Sequence, residues 1–183
     1  MTPSRYDDEL WELVPADPGP SPPHLVEFVR GLGRVGRALD LGCGDGRLTA
    51  ELDAAELTAA DVSPVALERA RPRLPGARVV ELEPDAPLPF DDGSFDAVLL
   101  AETIEHVRDV QLVLSEVRRV LVPRGLLALT TPAAAPLARP EHPFSPHLHR
   151  FTRRSLHRAL HELGFEVDSL RRRRGTLRAL ARR

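Results

Sequence analysis

The 183-residue chain contains no lysine and no asparagine, and all 25 of its basic residues are arginine. Without lysine there is no Walker-type phosphate loop and no Schiff-base amine. A single cysteine, Cys43, excludes an intramolecular disulfide and a cysteine-rich zinc site. No apolar run approaches the roughly 20 residues that span a bilayer, and the N-terminus lacks a basic-then-apolar leader pattern. No membrane association is therefore expected, and a cytoplasmic location is. A net charge of −2 gives no global attraction toward nucleic acid or anionic lipid. The remaining composition, 42% hydrophobic, is enough for one continuous core in one domain.

Against these absences stands the stretch Ala38-Leu-Asp-Leu-Gly-Cys-Gly-Asp-Gly46. An apolar run carries an acid, Asp40, and then breaks into glycines at 42, 44 and 46. This pattern reads as a buried parallel strand feeding a tight turn, where backbone N–H groups approach a ligand with no Cβ in the way. A dinucleotide cradle needs a glycine at the sixth position, which here is Arg47. An acid two residues before Gly42 would repel a pyrophosphate and suits a cationic ligand.

Apolar runs then alternate with helical patterns. Strands are expected at 37–41, 57–60, 77–82, 97–100 and 126–130. Helices are expected near 47–52, 64–73 and 110–121, with one before the first strand carrying Leu25, Phe28, Val29 and Leu32. Such alternation requires crossover connections and a parallel sheet covered on both faces. A last helix over 153–163 ends at Gly164, and two short strands, 165–171 and 176–181, can close the sheet as an antiparallel hairpin.

The glycine turn, together with Leu88-Pro-Phe-Asp-Asp-Gly-Ser-Phe-Asp96, resembles the class I S-adenosylmethionine (SAM)-dependent methyltransferases over about residues 11–165. The resemblance implies an α/β, Rossmann-like, doubly wound seven-stranded mostly parallel sheet with an antiparallel C-terminal hairpin. It implies a methyltransferase domain over 23–183 behind an N-terminal flap, 1–22, in which Tyr6 and Trp11 either cover the cofactor or pack on the first helix. It implies SAM as cofactor, with Asp40, Gly42, Gly44 and Gly46 at its methionine end and Cys43 in the same turn. Asp61, beside Val62, falls where a carboxylate takes the ribose hydroxyls. Asp85 and Ala86 fall at the adenine, and Glu102 contacts SAM.

The acceptor side is read from Ala101-Glu-Thr-Ile-Glu-His106. On a helix, Glu102, Glu105 and His106 would occupy i, i+3 and i+4 and share a face. The segment resembles that of the ubiquinone-pathway O-methyltransferases and of the small-RNA 2′-O-methyltransferases. Two roles stay open. Glu102, Glu105 and His106 bind a divalent cation, magnesium or manganese, with His149 from the loop that also holds His142 and His147. Alternatively His106 and Glu105 orient or deprotonate the acceptor. First-turn acids also suit a helix dipole with no ligand.

Residues 132–150 carry Pro132, Pro136, Pro140, Pro143 and Pro146, and are expected to form a lid or acceptor wall with Phe144 and Phe151. The asparagine-free sequence lacks the Asn-Pro-Pro-aromatic signature of amide and exocyclic-amine methylation, and Cys43 in the turn is not placed for pyrimidine chemistry. The expected activity is methyl transfer to a small-molecule acceptor, on an oxygen. The alternatives are a metal-assisted RNA ribose 2′-O-methyltransferase, for which Arg171–Arg174, Arg178, Arg182 and Arg183 would meet phosphates, and a SAM-binding module without catalysis. Oligomeric state is not legible.

Overall fold

The computed structural model describes residues 8, 9, 11–15, 17–134 and 147–183. Seven strands form one sheet: β1 Val35–Leu41, β2 Ala54–Asp61, β3 Arg78–Glu81, β4 Phe95–Ala101, β5 Leu121–Pro132, β6 Glu166–Arg173 and β7 Thr176–Arg182, in the order β3-β2-β1-β4-β5-β7-β6. The pairings β3–β2, β2–β1, β1–β4 and β4–β5 are parallel. β7 inserts antiparallel between β5 and β6, which makes the C-terminal hairpin. The sheet is thus mostly parallel, as the alternation of elements implies, and has the Rossmann-like seven-stranded order that the resemblance implies.

Beyond the N-terminal segment, four α-helices of the described residues cover it: α1 Pro23–Arg30, α2 Pro64–Ala70, α3 Val110–Val120 and α4 Arg153–Glu162. α3 and α4 bury Leu114, Val117, Leu156 and Leu160 against Leu39, Val98, Leu100, Leu127 and Leu129 on one sheet face. α1 packs Val29 and Phe28 on the other, against Ala38, Leu99, Ala128 and Leu180. β1 and β4 are therefore apolar on both sides, which explains their unbroken hydrophobic runs. Ser63 caps α2 and Asp109 caps α3, each accepting from the backbone N–H three residues on. Thr152 and Ser155 form a reciprocal capping box at the start of α4.

Two local expectations are corrected. The helix expected over 47–52 is a single 3₁₀ turn, Thr49–Glu51. Only a few residues separate the glycine turn from β2, and the Thr49 hydroxyl is held by Asp40. The helix expected over 64–73 ends at Ala70 and continues as a 3₁₀ turn, Arg71–Arg73, because Pro72 has no N–H to extend the ladder. Among the described residues, no helix is long and apolar enough to cross a membrane.

Candidate functional site

β1, β2 and β4 end together at the carboxyl edge of the sheet, where ligands of such folds sit. The turn after β1 takes its shape from Gly42, Gly44 and Gly46, with φ of 77°, 54° and 79°, a region that side chains disfavour. A Cβ at Gly42 would collide with Thr103, and one at Gly44 would lie 2.6 Å from the Trp11 ring. The turn is pinned from below by Asp61 at the end of β2, whose carboxylate accepts from the N–H of Gly44 (2.8 Å) and of Ser63 (3.0 Å).

Two buried acids converge here. Asp40 is 2% exposed and accepts one hydrogen bond, from the Thr49 hydroxyl at 2.6 Å. Burial pushes its carboxyl up to about 7, and the nearby Asp61 adds to the shift. Burial also raises Asp61, although three backbone N–H groups pull the other way. Burial pushes the Cys43 thiol far above the range where it would ionise, which leaves it inert. Val62 packs half-buried against the main core. Asp85, by contrast, is exposed, has a left-handed φ of 58° and lies 3.5 Å from Arg108, with half-buried Ala86 next to it.

The N-terminal segment lies against this turn. Residues 8–9 and 11–13 are helical, Asp8 accepts from the Ser63 hydroxyl (2.6 Å), and the Trp11 ring covers Gly44. Arg47 donates to the carbonyl of Gly19 and Arg69 to that of Val14, at 2.6 and 2.8 Å. Asp45, itself buried, holds Arg47 at 2.9 Å and Arg73 at 3.6 Å. Tyr6 lies outside the described residues.

The segment after β4 departs from the sequence expectation. Glu102 has φ of 53° and opens a turn closed by His106 N–H to the Thr103 carbonyl, not a helix. A non-glycine residue held there costs about 1–2 kcal/mol. Because the chain turns, Glu102 does not share a face with Glu105 and His106. Its Oε1 is buried with no hydrogen-bond partner, and burial raises its pKa. Glu105 is 1% exposed and accepts from the Thr131 hydroxyl at 2.8 Å. Burial, reinforced by Glu102, pushes it up to about 8.

His106 lies beside Glu105, with Nε2 4.0 Å from Oε1 and 36% of its side chain exposed. Its ring meets that of His147 edge-on, with centroids 5.0 Å apart. The ligand atoms of Glu105, His106 and His147 all lie within 4.8 Å of one another. Glu102 and His149 are not in this group. His149 turns its Nε2 to the carbonyl of Arg108 (3.3 Å), while its N–H donates to the carbonyl of Glu105. Phe151 is buried in the core and forms no open acceptor wall. His142 and Phe144 lie outside the described residues.

Sequence reasoning passed over Thr49 and Thr131 and read Arg178 only as one arginine of a basic C-terminal patch. Each is buried and polar, but none belongs to a motif. Only their register against Asp40, Glu105 and β5 reveals them.

Comparison with known proteins agrees with this geometry. A family described as a methyltransferase domain matches residues 39–129. Demethylmenaquinone methyltransferase of Thermus thermophilus is 40% identical over 100 residues, covering 51% of this chain and 46% of that protein. The 27-O-demethylrifamycin SV methyltransferase of Amycolatopsis mediterranei is 39% identical over 101 residues, covering 51% and 37%. The chain spans less than half the length of these curated relatives. A SAM-dependent methyltransferase structure from Aquifex aeolicus superposes with a TM-score of 0.70 over 100% of this chain and 98% of that one, at 21% identity. Residues 39–129, which carry the glycine turn and both buried acids, therefore match the methyltransferase-domain family, and the described residues have the fold of known SAM-dependent methyltransferase structures.

Proposed function

We propose that this protein transfers a methyl group from SAM to an oxygen of a small-molecule acceptor. One observation carries the reading. Asp40 and Asp61 are buried together at the glycine turn with no cationic partner among the described residues, and both are held above the ordinary carboxylate range. Such a pair is an electrostatic vacancy for a positively charged ligand. SAM, which carries a sulfonium and an ammonium group, would be held by Asp40, the turn from Gly42 to Gly46 and Asp61, with Val62, Asp85 and Ala86 on the nucleoside side and Glu102 beyond β4. When bound, it supplies an already electrophilic methyl group.

The protein's own part is then alignment and exclusion of water. Trp11, Arg47 and Arg69 keep the N-terminal segment over the turn. His106 stands exposed beside buried Glu105, within reach of an acceptor hydroxyl. Its imidazole takes the proton that an alcohol or phenol must shed, and Glu105, once ionised, stabilises the resulting imidazolium. The relatives named for demethylmenaquinone and demethylrifamycin support a ring-bearing acceptor. The test is transfer of labelled methyl from SAM to a panel of phenols and hydroxylated rings. His106→Ala should lower kcat about 10²-fold or more with SAM affinity retained. Equal turnover by the variant would remove His106 from the chemistry.

A second reading is favoured by one observation, the mutual approach of Glu105, His106 and His147. Two imidazoles and one carboxylate suit manganese, iron or zinc more than magnesium. In this reading the three residues hold a divalent cation whose Lewis acidity would lower the pKa of an acceptor hydroxyl. Turnover that survives exhaustive chelation would eliminate it.

A further inference from the structure

The strongest unexplained feature outside the cofactor turn is Arg178. It lies in β7 and is 9% exposed, yet its Nε and Nη2 are buried with no hydrogen-bond partner. Arginine stays charged under all ordinary conditions, so this is a buried cation whose Nε and Nη2 find no acceptor among the described residues. Its guanidinium stands 5.8 Å from the Phe28 ring of α1, an apolar contact that accepts no hydrogen bond. The surroundings add positive charge. Burial lowers the pKa of both Arg178 and His24 of α1, and Arg173 and Arg174 of the β6–β7 hairpin lower both further. Glu27 is the nearby acid, but Arg173 engages it at 3.4 Å.

Register places this residue toward the acceptor side. Arg178 is directly opposite Thr130 of β5, and Thr130 is in register with Ala101, the last residue of β4. Thr130 Oγ1 and Glu102 Oε1 are also buried, with no other partner among the described residues, and the Thr130 hydroxyl lies close enough to Glu102 to oppose the rise that burial causes in its pKa. Buried polar side chains therefore follow one another from the carboxyl ends of β4 and β5 to the amino end of β7, which runs antiparallel to them. Two strand spacings separate Ala101 from Arg178, about 10 Å. That distance suits a molecule with a reacting oxygen at one end and a charged group at the other.

We propose that Arg178 is an acceptor-binding residue which takes an oxyanion, a carboxylate or a phosphate, carried by the small-molecule substrate. Thr130 donates a further hydrogen bond to the same ligand, and His24 and Arg174 supply its electrostatic surroundings. The oxyanion provides the oxygen lone pairs that the fold withholds from Nε and Nη2. Bidentate pairing with a planar fork explains why a guanidinium stands here. The identity of this group as part of an acceptor rests on the methyl-transfer reading. The oxyanion site itself does not.

The test is thermal melting of the intact chain with sodium phosphate, with sodium benzoate and with sodium chloride at equal ionic strength. Proteins compared are wild type, Arg178→Met, Arg178→Lys and Arg171→Ala, the last an exposed arginine of β6 that serves as a charge control. Phosphate or benzoate should raise the wild-type and Arg171→Ala midpoints by about 4 °C at tenfold excess over Kd. Arg178→Met should melt no lower than wild type in chloride and should lose the ligand-dependent rise. Arg178→Lys should keep only part of it. A rise with phosphate alone assigns a phosphorylated acceptor, and one with benzoate alone a carboxylated acceptor. No rise above chloride, or an equal rise in Arg178→Met, overturns the proposal. A short RNA that stabilises wild type and Arg178→Met alike would overturn the small-molecule assignment. A separate SAM titration keeps the two readings apart: absent SAM binding refutes methyl transfer and leaves the oxyanion result standing.

Discussion

Replacing Asp40 by asparagine should make the empty protein more stable and its cofactor site worse. The Asp40 carboxyl, ordinarily near 3.8, is pushed up to about 7 by burial and by Asp61. The folded protein thus holds this proton more tightly than the unfolded chain does. Stability is complete below about pH 4, falls as pH rises through the window from about 4 to 7, and is flat above it. Three pH units correspond to about 4 kcal/mol, a large share of a typical folding free energy. Asparagine keeps the shape and can still accept from the Thr49 hydroxyl, but it never ionises. Asp40→Asn should therefore gain about 2–4 kcal/mol at pH 8, or about 4–16 °C in Tm, and nothing at pH 4. If SAM binds the ionised acid, its wild-type affinity should tighten about 25-fold between pH 5.5 and 7.5, and the variant's pH profile should lose that slope. Melting curves across pH and calorimetric titrations of both proteins read these quantities. Parallel melting profiles, or a SAM affinity equally dependent on pH in both proteins, would refute the reasoning.

Other expected outcomes probe different parts of the molecule. Gly44→Val places a branched side chain at φ 54° and against Trp11, so SAM binding should fall at least about tenfold. The emission of Trp11, the single tryptophan, should shift in the same variant, and an unchanged spectrum would argue against the contact. His147→Ala should weaken binding of manganese or zinc, whereas His149→Ala should not, as titration with the metal alone would show. Thr152→Ala removes a capping box far from the turn. It should cost about 1 kcal/mol, read as a Tm drop of roughly 2–4 °C, and leave SAM affinity unchanged.

The order of the sheet was legible because β1 and β4 are apolar on both faces and because Gly42, Gly44 and Gly46 interrupt the pattern where a turn must be tight. The turn at Glu102 was not legible. Periodicity supports a helix there, but the register of β4 against β5 and the N–H of Glu102 donating to the Thr130 carbonyl draw the chain into a left-handed step. The partner of Glu105 and His106 was equally hidden, since three loop histidines are equivalent on paper. The bond from the His149 N–H to the Glu105 carbonyl orients the loop so that His147 faces the pair. The unpaired state of Arg178 exists only in three dimensions. In sequence it is one arginine in a basic tail, and half of that tail is exposed strand.

The central claim is that the turn from Asp40 to Gly46, closed by Asp61, holds a cationic methyl donor. It is tested most directly by titrating the purified chain at pH 7.5 with SAM and, in parallel, with NAD. The account predicts one SAM site per chain, loss of that site in Gly44→Val, and no saturable binding of NAD. Saturable NAD binding, or SAM binding that is unaffected by Gly44→Val, would contradict it.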